Sequence, residues 1–158
     1  MEVTVRPAQK EDARTVAEYA LKLFEQHREY DPERFVRLGN LEGAEWFYGS
    51  RNDTVDSVVM VAEIDNRVTG FAYMLYEKIN YPDLLENALR LEDIYVDESA
   101  RGKGAGKALM SAAVEKAKQF GADKLVLTVA AKNTFAREFF SRNGLRETMV
   151  EMTLNLTD

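Results

Sequence analysis

The sequence predicts an α/β fold in which helices cover a mixed β-sheet. Strand-like and helix-like apolar patterns follow one another in the order strand, helices, hairpin, strand, helix, strand, helix, strand. No linker, repeat or low-complexity stretch separates them, so residues 1–158 are expected to form a single domain. At this length most of the unfolded surface can be buried, and a stable core needs no disulfide.

The first half predicts one strand, three helices and a hairpin. Asp31-Pro32 is typical of a helix start, and Asp65-Asn66-Arg67 is typical of a short hairpin connection. The predicted elements are, in order, a strand over 3–6, helices from 11 to about 26, over 33–38 and over 41–48, and antiparallel strands over 58–64 and 68–76.

The second half predicts a loop, three strands and two helices. Asn80-Tyr81-Pro82-Asp83 is typical of turns, so residues 77–90 are expected to form a loop with room for one helical turn. Gly121 and Asn143-Gly144 stand where helices should end. The predicted elements are strands over 91–96, 124–129 and 147–154, a helix from about 105 to 120, and a helix from 133 or 134 to about 142.

The composition argues against several classes of function. The chain has no cysteine and one histidine, His27, so it offers no thiol nucleophile and no thiolate or His-rich metal site. Any thiol chemistry must come from a cofactor. The formal charge of -6 disfavours nucleic acid or an anionic membrane as the main partner. The sequence shows neither a membrane span nor the apolar stretch of a signal peptide, which predicts a cytoplasmic protein.

The charge is unevenly distributed along the chain. Residues 1–90 hold 11 basic and 17 acidic side chains, whereas residues 101–132 hold seven basic and two acidic ones. The basic stretch suits an anionic ligand and the acidic front half suits a cationic one. The alternative is that both are solvated helix faces.

A glycine-rich segment, Arg101-Gly102-Lys103-Gly104-Ala105-Gly106-Lys107, lies between a predicted strand and a predicted helix. It fails the P-loop pattern, because Arg101 stands at the first glycine position and Ala108 replaces the hydroxyl residue. It also fails the dinucleotide pattern, which requires glycine at 107 or 109. What remains is a loop whose N–H groups and following helix N-terminus can bind a pyrophosphate. The alternative is a tight turn and nothing more.

Around this loop the sequence resembles the GNAT superfamily of acyl-CoA-dependent N-acetyltransferases. Residues 91–106 match the family's strand followed by Q/R-x-x-G-x-G/A, and Asn133 with 139–145 resembles the following asparagine and helix motif. The strand Leu91-Glu92-Asp93-Ile94-Tyr95-Val96 is most similar to that of diamine and thialysine acetyltransferases. The resemblance implies a central, mostly antiparallel mixed sheet flanked by helices, with a splayed strand pair for CoA.

The resemblance also implies where acetyl-CoA would bind. The pyrophosphate would lie on the amides from Gly102 to Lys107, and the pantetheine arm would lie between strands 91–96 and 124–129. Pairing of a polyamide with free strand edges is physically reasonable, since buried N–H and C=O groups need partners. The implied cofactor-binding residues are Ile94, Tyr95, Val96, Arg101, Gly102, Lys103, Gly104, Ala105, Gly106, Lys107, Asn133 and Phe140.

Acetyl transfer to an amine requires removal of the ammonium proton, and Glu92 is the predicted base. The pair Glu92-Asp93 interrupts an apolar strand, so the strand pattern predicts one carboxylate on each face, next to the implied thioester. Burial and the like-charged neighbour would raise the pKa of Glu92. The alternative is a rim carboxylate paired with an arginine.

Residue 140 departs from the family pattern. The family usually has a tyrosine there that protonates the departing thiolate, whereas this sequence has Phe140, which donates no proton. Because a thiol has a pKa near 8.5, transfer would survive at a rate lower by at most roughly 10²–10⁴-fold. Tyr81, Tyr73 or water are the candidate substitutes.

The binding site for the acceptor amine is expected to be lined by acidic and aromatic residues from the first half of the chain. The predicted substrate-binding residues are Asp93, Tyr30 and Tyr81, with Glu29, Asp31, Trp46 and Tyr48 as further carboxylate and aromatic candidates. Ordinary surface and packing roles are the alternative for each. His27 is interpreted as a helix-end residue and not as a base.

The predicted function is therefore acetyl transfer from acetyl-CoA to a primary amine, by direct attack in a ternary complex and without a metal. A small polyamine, a lysine-like amine or another cationic amine is the expected acceptor. The alternatives are a catalytically weak CoA-binding module and a protein or peptide N-acetyltransferase. A homodimer is compatible with the sequence.

Overall fold

Five strands form one sheet in the computed structural model, which describes residues 2–157. Neighbouring strands follow the chain order β1-β2-β3-β4-β5. The first three pairings are antiparallel and the pairing of β4 with β5 is parallel, which confirms the predicted mixed sheet. The strands are β1 Val3–Pro7, β2 Ser57–Ile64, β3 Arg67–Asn80, β4 Leu85–Val96 and β5 Lys124–Val126.

Within residues 2–157, four α-helices cover the two faces of this sheet. The helices are α1 Ala13–Tyr30, α2 Leu41–Ser50, α3 Ala105–Phe120 and α4 Thr134–Arg142. On one face Val16 and Tyr48, from α1 and α2, pack with Val59 and Phe71. On the other face α3 and α4 pack over a larger core. The α/β fold class is thus confirmed.

The hairpin of β2 and β3 forms where the sequence predicts it. Asp65 and Asn66 have φ values of 52° and 61°. Two successive residues in the left-handed region give the connection a twist that matches the right-handed twist of the strands. Asp and Asn adopt this region more readily than other non-glycine residues.

The short helix predicted over 33–38 is wrong. The amides of Arg34 and Phe35 both donate to the carbonyl of Asp31, which closes a single turn, and residues 35–40 form no helix. Gly39 then has a φ of 79°, outside the helical region. One turn without further packing does not propagate, because helix nucleation is costly.

The loop predicted over 77–90 is also wrong. Strands β3 and β4 continue through this stretch and leave only a turn at 81–84, within which Leu84 has a φ of 52°. Arg90 donates to Glu77 across the two strands at 2.7 Å. Cross-strand pairing therefore extends the hairpin up to the turn around Pro82.

The last predicted strand, 147–154, does not form, and the predicted strand 124–129 is shortened to β5. Within the described residues, 2–157, none of residues 145–157 pairs with the sheet. The ladder of β5 ends at Val126, opposite Arg90 of β4. A strand requires a partner edge, and alternation alone does not supply one.

Candidate functional site

A gap opens between β4 and β5 after three residue pairs. The pairs run from Ala88 with Lys124 to Arg90 with Val126, and β4 then continues to Val96 without a partner on that edge among residues 2–157. The backbone groups of this edge are therefore free to pair with an extended ligand. The splayed strand pair is present.

The glycine-rich loop closes one end of this gap. The amides from Gly102 to Lys107 donate to no group among residues 2–157. Gly104 is the N-cap of α3, and it provides no side chain to satisfy the first amides of that helix. Free N–H groups at a helix N-terminus, together with the helix dipole, form an anion site.

Backbone conformation explains the glycines at 102 and 104. Their φ values are 76° and 94°, in the left-handed region that favours glycine. Lys103 and Lys107 are exposed and make no ion pair within 2–157, whereas the Arg101 guanidinium donates to the carbonyl of Val96 at 3.1 Å. The two lysines are thus available for phosphate groups.

A β-bulge in β4 sets the positions of the two carboxylates. Tyr73 lies opposite Asp93 and Met74 lies opposite Leu91, so Glu92 is the extra residue. Glu92 and Asp93 consequently line the same cavity. The expectation of one carboxylate on each face is wrong, because strand alternation is broken at the bulge.

This cavity lies between the sheet and helices α1 and α2, with a volume of about 390 Å³. Its walls are mostly apolar or aromatic, and the two carboxylates stand at one side. The residues that line it include Phe24, Phe47, Tyr48, Tyr73, Glu92 and Asp93. A concave apolar site with a few polar groups is the usual form of a small-molecule site.

The Glu92 carboxyl is half-buried, and this environment tunes its acidity. Burial raises the pKa of Glu92 above its ordinary value, the Arg90 guanidinium lowers it, and the charges of Asp93 and Glu77 raise it again, for a net increase. Arg90 is 2.7 Å from both Glu77 and Asp83 and 3.8 Å from Glu92, so its charge is engaged mainly by Glu77 and Asp83. A carboxylate with a raised pKa is suited to accept a proton near neutral pH.

Asp93 has a different environment from that of Glu92. The hydroxyl of Tyr48 donates to its carboxylate at 2.7 Å. Burial raises the pKa of Asp93, and the Tyr48 hydrogen bond and the charge of His27 oppose that rise. Burial and the neighbouring Asp93 also raise the pKa of Tyr48, so this tyrosine stays a hydrogen-bond donor. The hydrogen bond therefore holds Tyr48 and Asp93 together as a polar pair among aromatic side chains.

Replacement of Tyr48 by Phe should lower the free energy of unfolding by about 1–3 kcal/mol, because a buried carboxylate loses its hydrogen bond. The pKa of Asp93 should rise further. The matched comparison is Tyr73→Phe in the same aromatic cluster, whose hydroxyl bonds no carboxylate and has Arg51 as its partner. Urea unfolding of both variants measures the difference. Equal losses in the two variants would contradict the assignment.

The remaining implied cofactor residues lie around the gap in different environments. The side chains of Ile94 and Val96 pack against the α3–α4 core, whereas Tyr95 packs on the opposite face. Asn133 is the N-cap of α4, and its side-chain Oδ1 accepts from the Ala136 amide at 3.1 Å. Its side-chain NH2 group makes no hydrogen bond within 2–157 and remains free for a ligand carbonyl. The roles of these residues stay predictions.

Phe140 is 8% exposed and belongs to the α3–α4 core, with its ring against Phe139 at a centroid distance of 5.4 Å. Phe140→Tyr should therefore cost about 1–3 kcal/mol of stability, because the new hydroxyl is placed in apolar packing. We expect no faster acetyl transfer. Single-turnover transfer and thermal midpoint, measured on the same variant, test this. A faster chemical step would instead identify residue 140 as the position of an absent acid.

Two predicted substrate-binding residues are not among those that line the cavity. Tyr30 ends α1, and Tyr81 is 79% exposed in the turn between β3 and β4. Of the two tyrosines considered as substitute acids, Tyr73 lines the cavity and Tyr81 does not. His27 lies near the end of α1, where its Nδ1 is 2.8 Å from the Leu23 carbonyl, in agreement with a helix-end role.

Arg90 and the apolar wall of the cavity were missed by sequence reasoning. Arg90 and Glu92 are two positions apart in one strand, a spacing that could have indicated the pair. The wall consists of residues from α1, α2 and the segment between them: Leu21, Phe24, Leu38, Gly39, Asn40, Gly43, Ala44 and Phe47. No local motif marks such a wall, because it forms only when distant segments meet.

Two other kinds of feature are absent from residues 2–157. No helix there is both long and apolar enough to cross a membrane. No cluster of three or more His, Cys, Asp or Glu side chains in that range has an arrangement that could hold a metal ion.

Comparison with known proteins identifies a sequence relationship over most of the chain. Residues 16–145 match the Acetyltransferase (GNAT) family. The chain is 33% identical over 149 residues to the uncharacterized N-acetyltransferase YhfO of Bacillus subtilis (strain 168). That alignment covers 92% of this chain and 91% of the relative.

Two solved structures have a similar fold at low sequence identity. A mutant of the BH1408 protein from Bacillus halodurans matches with a TM-score of 0.83 at 22% identity, over 98% of this chain and 99% of that chain. AAC(6')-Iy in complex with the bisubstrate analog CoA-S-monomethyl-acetylneamine matches with a TM-score of 0.75 at 16% identity, over the full length of both chains.

Proposed function

The chain belongs to the GNAT family of acetyltransferases and is an N-acetyltransferase that uses acetyl-CoA, and from this premise we propose that its acceptor is a small cationic primary amine. The observation that carries the proposal is the cavity beside the bulge in β4, where Glu92 and Asp93 stand together among aromatic walls. Carboxylates and aromatic faces both attract a cationic amine.

The residues around the gap fit acetyl-CoA, which supplies an activated acetyl thioester when bound. The free amides from Gly102 to Lys107 and the uncapped start of α3 suit the pyrophosphate. The unpaired edge of β4 over 91–96 suits the amides of the pantetheine arm. Because the chain has no cysteine, no thiol of the protein can carry the acetyl group, which supports direct attack by the amine.

Glu92 is proposed to accept the proton of the acceptor ammonium, directly or through a water molecule. Its raised pKa and its place on the cavity wall support this role. The charge of Arg90 opposes the rise in the pKa of Glu92 without forming a close pair with it, at 3.8 Å. A closer pair would lower its basicity.

Asp93 is proposed to orient the amine and not to accept its proton. Its carboxylate already accepts from Tyr48, which fixes the side chain in place. The cavity volume of about 390 Å³ is within the range of small-molecule sites, and its apolar wall suits an aliphatic or ring-bearing amine. An extended peptide is the less favoured acceptor for a site of this kind.

The test is a CoA-thiol release assay over a panel of acceptors: polyamines, lysine analogues, aminoglycosides and a lysine-containing peptide. We expect turnover with at least one small amine and none above background with the peptide. Turnover restricted to the peptide would overturn the proposed acceptor class. Binding of acetyl-CoA with no release for any amine would favour the CoA-binding module.

A further inference from the structure

The cavity beside β4 has its negative charges on one side only. Glu92 and Asp93, both from the sheet, are the two carboxylates among the residues that line it. The wall formed by α1, α2 and the segment between them carries large apolar side chains: Leu21, Phe24, Leu38 and Phe47. A ligand in this cavity therefore meets carboxylates at one end and an apolar surface over the rest of its length.

The neutral polar groups of the cavity are already hydrogen-bonded. The Tyr48 hydroxyl donates to Asp93 at 2.7 Å, and the Tyr73 hydroxyl accepts from Arg51. The side-chain oxygen of Asn40 accepts from the Gly43 amide at 2.7 Å, at the start of α2. None of these groups carries a charge, so none compensates a second cation that loses its water there.

A positive charge lies behind the apolar wall. The Arg51 guanidinium is stacked on the Phe47 ring, 4.5 Å from its centroid, so this face of the ring is not open to a ligand cation. Within residues 2–157 the guanidinium makes no ion pair, and its Nε is buried without a hydrogen-bond partner. Its uncompensated charge repels a cation placed against this wall.

The apolar wall continues to the mouth of the cavity. Leu38 is 73% exposed and Phe24 is 37% exposed, and both line the cavity. Exposed apolar side chains that border a cavity are typical of a ligand-binding groove. The ligand that covers them gains free energy from the burial of its own apolar surface.

We propose that the acceptor is a monoamine with an apolar carbon skeleton, an alkylamine or arylalkylamine, and not a polyamine or an aminoglycoside. This inference rests on the proposed function and narrows its acceptor class. The single ammonium lies at Glu92 and Asp93, and the skeleton lies along Phe24, Leu38 and Phe47. A second ammonium on that wall would lose its water without gaining a carboxylate.

The reaction with such an amine is balanced by the groups already described. The ammonium gives one proton to Glu92 and a second to the departing sulfur. The C–N bond forms as the C–S bond of acetyl-CoA breaks, and CoA leaves as the thiol. The amide product of a monoamine is uncharged, so its attraction to the two carboxylates is lost and its release is favoured.

The test compares hexylamine with 1,5-diaminopentane in the CoA-thiol release assay at neutral pH. The two molecules have the same number of non-hydrogen atoms and differ in one terminal group, CH3 or NH3+. We expect kcat/KM for hexylamine to be higher by roughly 10–100-fold. An equal or higher value for the diamine would overturn this inference and leave the proposed small-amine acceptor standing. No release with any small amine would overturn both.

Leu38→Glu locates the ligand's skeleton on the apolar wall. A carboxylate at this position should shift the ratio of the two kcat/KM values toward the diamine by about tenfold, because it pairs with the second ammonium and removes an apolar contact. Val36→Glu is the matched control: it lies in the same segment, is 65% exposed and does not line the cavity. Its ratio should equal that of the unaltered enzyme.

Both side chains are exposed, so both variants should fold, and circular dichroism verifies this. An unchanged ratio in folded Leu38→Glu would contradict the placement of the skeleton on this wall. An equal shift in Val36→Glu would contradict it too, because the added charge would then act from the surface and not from within the cavity.

Discussion

Gly104→Val should abolish measurable binding of CoA and acetyl-CoA. The residue has a φ of 94°, and a β-branched side chain is strained there. Space is not the obstacle, since a Cβ would meet only a Val3 methyl, at 3.9 Å. Relief of the strain requires rotation of the loop backbone, which turns the free amides of 102–107 away from a common anion site. Calorimetric titration measures the loss.

Gly121→Val is the matched control for this loss. Gly121 stands at the other end of α3 with a φ of 71° and nothing within 4 Å of its Cβ position. Both substitutions should cost about 1–3 kcal/mol of stability, because both force valine into the left-handed region. Only Gly104→Val should lose binding. Normal binding of CoA by a folded Gly104→Val variant would show that the loop is a turn and not an anion site.

Glu92→Gln should lower the maximal rate of acetyl transfer at neutral pH by roughly 10²–10⁴-fold, because it keeps the size of the side chain and removes its basicity. The rate should recover in part at high pH, where the amine is already deprotonated. Because burial raises the pKa of Glu92, the unaltered enzyme should lose rate as pH falls through that raised pKa. The pH–rate profile of Glu92→Gln should not show this loss of rate at low pH.

The pH–rate profile of Glu92→Gln is best compared with that of Glu86→Gln. Glu86 is an exposed residue of β4, near the turn, and it does not line the cavity. Its replacement should leave the profile unchanged. If Glu92→Gln also keeps the profile of the unaltered enzyme, Glu92 is a structural carboxylate and the proton leaves by another route.

Local sequence patterns were sufficient to predict several turns and helix ends. The hairpin turn at Asp65-Asn66, the end of α3 at Gly121 and the cap of α4 at Asn133 each depend on residues adjacent in sequence. Their conformations follow from side-chain chemistry at single positions. The glycine-rich loop was predictable for the same reason.

Features that depend on pairing across the molecule were not predictable in this way. The bulge at Glu92 arises from the register of β4 against β3, which no residue of β4 encodes alone. The apolar wall of the cavity requires α1 and α2 to meet. The strand predicted over 147–154 failed because its alternation carries no information about the partner edge.

The central claim is that the gap between β4 and β5, closed by the loop at 102–107, is the site of acetyl-CoA. Calorimetric titration of the unaltered chain with acetyl-CoA tests it most directly. Oriented amides, a helix N-terminus and two free lysines facing an anion predict one site per chain with a dissociation constant in the micromolar range or tighter. The absence of binding in a folded preparation would contradict the account.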